Sequence, residues 1–240
     1  MELSIALAFA LAVGLFLLGQ WLTRRASRRH RQTLAQLQGA TLLRTLELLQ
    51  ALQKHRCLGA AQDIVSVSQR NALARQIDRL WLNWPGPSLQ LAPLQQDWPQ
   101  LRRNPADFEA HCRMIEALLT VVEQLEERLC LRDTAALQGL EPACRNLEDL
   151  ARLRGLAVRA ANYRRCPAGL HMQIRVLCRR LDDPARSEPL HSLLQRLEVE
   201  LLEAPQVRLA PHDCFSLLTP LIDGRLHDLR HTLKAHIAAA

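Results

Sequence analysis

Residues 42–60 read LLRTLELLQALQKHRCLGA, and the spacing of their leucines decides the fold class. Leu42, Leu46, Leu49 and Leu52 recur at three or four residues, the period of an α-helix with one buried face, where a strand would alternate at two. From Gln32 to Trp84 the chain has no proline and only two glycines, so one long helix or two joined helices are expected there. The same period returns after Pro105 with Ile115, Leu118, Leu119, Val122, Leu125 and Leu129. Pro142 suits the first turn of a helix that carries Leu147, Leu150 and Ala151 toward Tyr163. Pro167 opens another, with Leu170, Ile174, Leu177 and Leu181 on one face, and the leucines from Leu190 to Leu201 mark the next. Pro211 starts the last, through Phe215, Leu218, Ile222 and Leu226, with Pro220 expected as a kink or restart. Residues 85–105 hold five prolines with Trp81, Trp84 and Trp98 in or beside them, and read as an ordered but irregular connection. The expected fold is all-α, an antiparallel bundle of six or seven helices.

Composition agrees with that class and removes others. Of 240 residues 48% are hydrophobic and only 4% aromatic, which argues against an all-β fold, while the apolar content suffices for a core. Residues 3–22, LSIALAFALAVGLFLLGQWL, carry no charge and, as a helix, measure about 30 Å, the thickness of a bilayer's hydrocarbon layer. Residues 1–22 therefore read as a transmembrane helix. A cleaved signal peptide would place basic residues before a shorter apolar run, whereas here Arg24, Arg25, Arg28, Arg29 and Arg31 follow it. These arginines define a basic juxtamembrane helix segment over residues 23–34. By the positive-inside rule they face the cytoplasm, giving a single-pass protein of the bacterial inner membrane whose bulk is cytoplasmic, with the lipid bilayer as a partner. The bundle is expected over 35–235 and a tail over 236–240. Because those five arginines account for most of the net charge of +7, the body is nearly balanced and a nucleic-acid partner is not expected.

The chemistry-bearing residues point away from catalysis. Seven cysteines, Cys57, Cys112, Cys130, Cys144, Cys166, Cys178 and Cys214, include no C-x-x-C pair, and read as reduced thiols packed as small hydrophobes. His111-Cys112 and His212-x-Cys214 lack a recognised ligand spacing, so neither a metal nor any other cofactor is expected. The His212-Asp213 and His227-Asp228 pairs have no companion residues at useful positions, and no G-x-S-x-G, P-loop or dinucleotide glycine pattern occurs. The expected protein is not an enzyme. Arg159, Arg164, Arg165, Arg175, Arg179 and Arg180 form a basic concentration that Asp182 and Asp183 dilute to a solvated face.

Two arginines stand on apolar stripes. Arg56 lies seven residues after Leu49, and Arg154 seven after Leu147, so each helix aims its arginine inward. A guanidinium stays charged inside a protein and needs an acceptor there. Two partners are open: a carboxylate of the chain, with Asp63, Glu148 and Asp149 in range by sequence, or an external anion.

The wording around these arginines resembles a known family. Leu52-Gln53-Lys54-His55-Arg56-Cys57-Leu58-Gly59-Ala60 is similar to the first-helix signature of the nitrate- and nitrite-sensing (NIT) domain family, typically L-Q-x-E-R-G-L-S-A. Leu150-Ala151-Arg152-Leu153-Arg154-Gly155-Leu156-Ala157 resembles its second arginine-bearing helix, and the segment from Cys214 through Phe215 and Thr219 to Ile222-Asp223 its last. The resemblance covers roughly residues 35–235. It implies a NIT-like helical bundle in which Arg56 and Arg154 grip a small anion such as nitrate or nitrite, with His55 and Arg152 as candidates for the layer behind them. It also implies an unidentified protein partner for the output, a second copy of the chain among the candidates. The chain departs from the pattern at His55 (an acid in the family), Cys57 (glycine) and Gly59 (a small hydroxyl). The alternative is a membrane-tethered helical adaptor or scaffold that has the bundle and no ligand.

Overall fold

The computed structural model describes residues 2–82, 84, 92–130, 138–182 and 188–239, with the side chains of 2–13, 31, 35, 92, 93, 129, 130, 236, 238 and 239 outside that description. Every regular element among the described residues is helical: α1 Glu2–Leu58, α2 Ile64–Leu82, α3 Ala92–Arg103, α4 Phe108–Cys130, α5 Leu140–Ala160, α6 Ala168–Leu181, α7 Glu188–Leu197, continued by a π-helical turn Glu198–Glu203, and α8 Pro211–Ala239.

α5 is the centre. Leu147, Leu150, Ala151, Leu153, Leu156 and Ala157 are all buried, and the helix packs against α8, α6, α1 and α4. Its small residues permit that crowding: at Gly155 a Cβ would stand 2.8 Å from the ring of Phe108, so the α4 aromatic lies directly on the α5 backbone. Cross-contacts fix the directions. α8 runs against α1, because Gly39 meets Ile237 while Lys54 meets Asp223, and against α5, because Asn146 meets Arg225 while Arg154 meets Thr219. α4 is likewise antiparallel to α5, with Phe108 at Gly155 and Glu116 at Arg145. The helical bundle expected from the sequence is thus observed, with eight α-helices among the described residues where six or seven were expected, and with α1 and α5, both antiparallel to α8, running parallel to each other.

Helix ends are closed by carboxylates. Asp63 accepts from the Ser66 amide at the start of α2, Asp107 from the Ala110 amide at the start of α4, and Glu126 of α4 reaches across to the Gly139 and Glu141 amides that open α5.

Three expectations change. Residues 92–103 of the supposed irregular connection form α3, despite Pro99 within it. Leu94, Trp98 and Leu101 fall on one helical face and are buried, and that burial outweighs the single backbone hydrogen bond the proline removes. Trp98 Nε1 and Arg102 Nη1 each donate to one oxygen of Asp78, both at 2.8 Å, and fasten α3 to α2. No restart occurs at Pro220, since α8 is one helix from Pro211 to Ala239. The expected tail from 236 is its last turn, where Ile237 fills the notch above Gly39.

Among the described residues no helix is long and apolar enough to cross a membrane. Much of the expected span, residues 3–13, lies outside the described side chains. From residue 14 to 30 every residue of α1 is exposed, including Leu15, Phe16, Leu17, Leu18, Trp21 and Leu22 as well as Arg24, Arg25, Arg28 and Arg29. The Arg25 guanidinium covers the Trp21 ring at 5.0 Å.

Candidate functional site

α1 ends, α5 nears its end and α8 begins at one end of the bundle. The three segments around Arg56, Arg154 and Phe215 therefore meet, although about 60 to 160 residues separate them in the chain. The two arginines are both buried there, yet their surroundings differ.

Arg56 has a carboxylate. Its Nη1 and Nη2 donate to Glu148 Oε1 and Oε2 at 2.5 and 3.1 Å, a bidentate pair from the last turn of α1 to the inner face of α5. Gln53 Nε2 donates to the same carboxylate at 3.0 Å, and Arg56 Nη1 also reaches the Cys112 sulfur at 3.3 Å. The Phe108 ring lies 5.1 Å below the guanidinium. Burial works against the Arg56 charge, but the Glu148 carboxylate's attraction and hydrogen bonds outweigh it and hold the guanidinium above its ordinary pKa. The chain thus supplies an internal carboxylate for one of the two arginines.

Arg154 has none. It is 0% exposed, its Nη1 donates to Thr219 Oγ1 at 3.0 Å, and Thr219 passes its own proton to the Phe215 carbonyl at 2.6 Å. The Phe215 ring faces the guanidinium at 5.0 Å, and the Cys57 thiol lies alongside. Nε and Nη2 meet no acceptor in hydrogen-bond geometry, and the Cys57 thiol is a weak hydrogen-bonding neighbour of the guanidinium. Asp223 of α8, the acid that acts on Arg154, is engaged by Gln50 and Lys54 of α1. Burial, and then the nearby positive charge of Arg56, push the Arg154 pKa below its ordinary value, with Cys57 and Asp223 compensating only in part. Nε and Nη2 are the two nitrogens whose N–H bonds run parallel on one edge of a guanidinium. What remains without an oxygen acceptor is therefore a complete fork that suits a two-oxygen ligand.

His55 does not stand behind this pair. One position along α1 turns its side chain by a quarter of the helix circumference, into a second buried cluster with His111 and Trp98. His111 Nδ1 donates to the Asp107 carbonyl at 2.6 Å, so its Nε2 carries a lone pair and accepts from His55 Nδ1 at 2.8 Å. Burial, chiefly, pushes His55 down to about 3 and His111 to about 4, with the neighbouring His111, then Arg70 and Arg102, adding to the first and Arg56 to the second. Arg152 is half-buried, and its connection to the site is electrostatic, through the Cys112 thiol that Arg56 contacts.

Gly59 and the cysteines are explained by local packing. At Gly59 any Cβ would overlap the Pro105 carbonyl oxygen, so a residue larger than glycine has no room. Cys57, Cys144, Cys178 and Cys214 are buried, and burial pushes the last three thiols up to about 12, which leaves them unreactive packing groups. Phe108, which lies against Arg56 and Arg159 together, was not signalled by the sequence, because it opens a helix far along the chain from both.

Beside Arg154 the bundle end opens into a cleft of about 880 Å³ between the α1–α2 turn, the end of α5 and the start of α8. Cys57 and Phe215 belong to both places, touching the guanidinium and lining the cleft. No group of three or more metal-ligating side chains occurs among the described residues. Compared with known proteins, the chain matches no family model, no curated protein and no solved structure.

Proposed function

We propose that this protein is a membrane-anchored helical sensor that binds a small oxyanion, such as nitrate or nitrite, at Arg154 and signals through protein contacts. The observation that carries the reading is the fully buried Arg154, whose Nε/Nη2 fork lacks an oxygen acceptor while Asp223, the acid that acts on it, is engaged by Lys54. A buried cation without a counter-ion is costly, and an anion that enters relieves that cost in the bound state alone. Arg56 takes a different part from the one the family resemblance implies: its charge is balanced by Glu148, so it positions α1 against α5 beside the site. The same ion pair supports the second reading, an adaptor without ligand, if Arg154 is equally structural.

The full-length protein in nanodiscs should gain thermal stability with nitrate or nitrite, and Arg154→Gln should lower anion affinity at least about tenfold, the loss expected for one charge-assisted bidentate contact. No anion-dependent rise in Tm in the parent leaves the adaptor. The anchor in this proposal is the apolar segment 3–22, with the bulk of the chain cytoplasmic at a bacterial inner membrane. A C-terminal reporter active only in the cytoplasm should therefore work, and one that needs export should fail. The reverse pattern overturns the topology.

A further inference from the structure

The cleft beside Arg154 is large for a bare inorganic anion. Its volume of about 880 Å³ lies within the roughly 300 to 1,000 Å³ typical of pockets for organic ligands. Its wall is largely apolar, with Leu58, Ala61, Val158 and Pro211 inside and Val65 and Tyr163 at the mouth. Those last two are 66% and 52% exposed, apolar area left uncovered at the entrance. Its polar lining holds one acid, Asp63, one guanidinium, Arg159, and His212, while Ser66, Gln69 and Asn162 offer neutral hydrogen bonds.

We infer that the ligand of this site is an organic monocarboxylate with an apolar body, its carboxylate on the Nε/Nη2 fork of Arg154 and its body in the cleft. The inference rests on Arg154 being the anion-binding group. Two observations join to give it. A carboxylate presents two oxygens at the spacing the parallel N–H bonds of the fork require. Cys57 and Phe215, which lie against the guanidinium, also line the cleft, so one of these side chains must move aside before a ligand in the cleft reaches the buried fork. A planar inorganic anion uses the fork and leaves the apolar wall unfilled. An aryl or alkyl carboxylate uses both.

The test is calorimetry on the full-length protein in nanodiscs with nitrate, acetate, benzoate and the neutral analogue benzamide. Benzoate should bind at least about tenfold more tightly than acetate or nitrate, as burial of a ring supplies, and benzamide should not bind. Arg154→Gln should abolish binding of all three anions. Val65→Trp, at an exposed position on the cleft wall, should weaken benzoate about tenfold and leave acetate within twofold, with Ala61→Met as a second obstruction should the first perturb the fold. Acetate, nitrate and benzoate binding equally, all through Arg154, overturns the organic ligand and keeps the sensor. Benzoate binding that survives Arg154→Gln overturns the inference by placing the ligand elsewhere. If no anion binds at all, the sensor reading fails and the inference fails with it.

Discussion

Glu148→Gln should cost about 3 to 5 kcal/mol of folding free energy, among the largest losses any single substitution in this protein will produce. The carboxylate takes two hydrogen bonds from Arg56 and one from Gln53 in a site where Arg56 is 3% exposed. Removing its charge leaves a buried guanidinium without a counter-ion. Urea unfolding in detergent at neutral pH measures the loss. The double variant Arg56→Met/Glu148→Leu should recover most of it, because an apolar pair of similar volume removes both desolvation costs together. Arg154→Gln should behave in the opposite way. With no anion present its Tm should equal or exceed that of the parent, since burial and the Arg56 charge already disfavour the Arg154 cation. A loss of several kcal/mol in Arg154→Gln would identify Arg154 as a second structural ion and remove the binding site.

Acidification should destabilise the protein through His55 and His111. Both are neutral in the folded chain, with pKa values depressed to about 3 and about 4, against about 6.5 when unfolded. Below pH 6.5 the unfolded chain binds protons that the folded one refuses, so stability is complete above that pH and falls as pH drops toward the folded values. At pH 5 each histidine should have cost roughly 2 kcal/mol, about 4 for the pair. Protonation also breaks the geometry, because a charged His111 has no lone pair left for His55 Nδ1. Urea midpoints from pH 7.5 to 5 measure the slope, and His55→Gln/His111→Gln should flatten it. A parent profile that is already flat would show that the cluster hydrates and accepts charge without opening.

The sequence carried the helices well and the site in part. The leucine period in α1, α4 and α5 gave those elements directly, because a helix that buries one face must repeat at three and four residues. α3 escaped because proline counting weighs a lost hydrogen bond and cannot weigh the burial of Leu94, Trp98 and Leu101, which only the finished bundle provides. The inward aim of Arg56 and Arg154 was legible from periodicity. Which of them would meet an acid was not: Glu148 and Asp149 are adjacent in sequence, and a rotation of about 100° on α5 sends the first to Arg56 and the second outward to Arg180. His55, next to Arg56, was misplaced by the same angular step.

α1 also acts as a lever. It is one helix of 57 residues, about 85 Å long, and it enters the bundle at Gly39, where Ile237 presses on a backbone with no side chain between them. From that fulcrum Cys57 is about 27 Å away, and the start of the apolar segment is about 54 Å away on the other side. A rod stiff over that length doubles any sideways step: a 1 Å displacement of the α1 end beside Arg154 swings the far end by about 2 Å in the opposite sense.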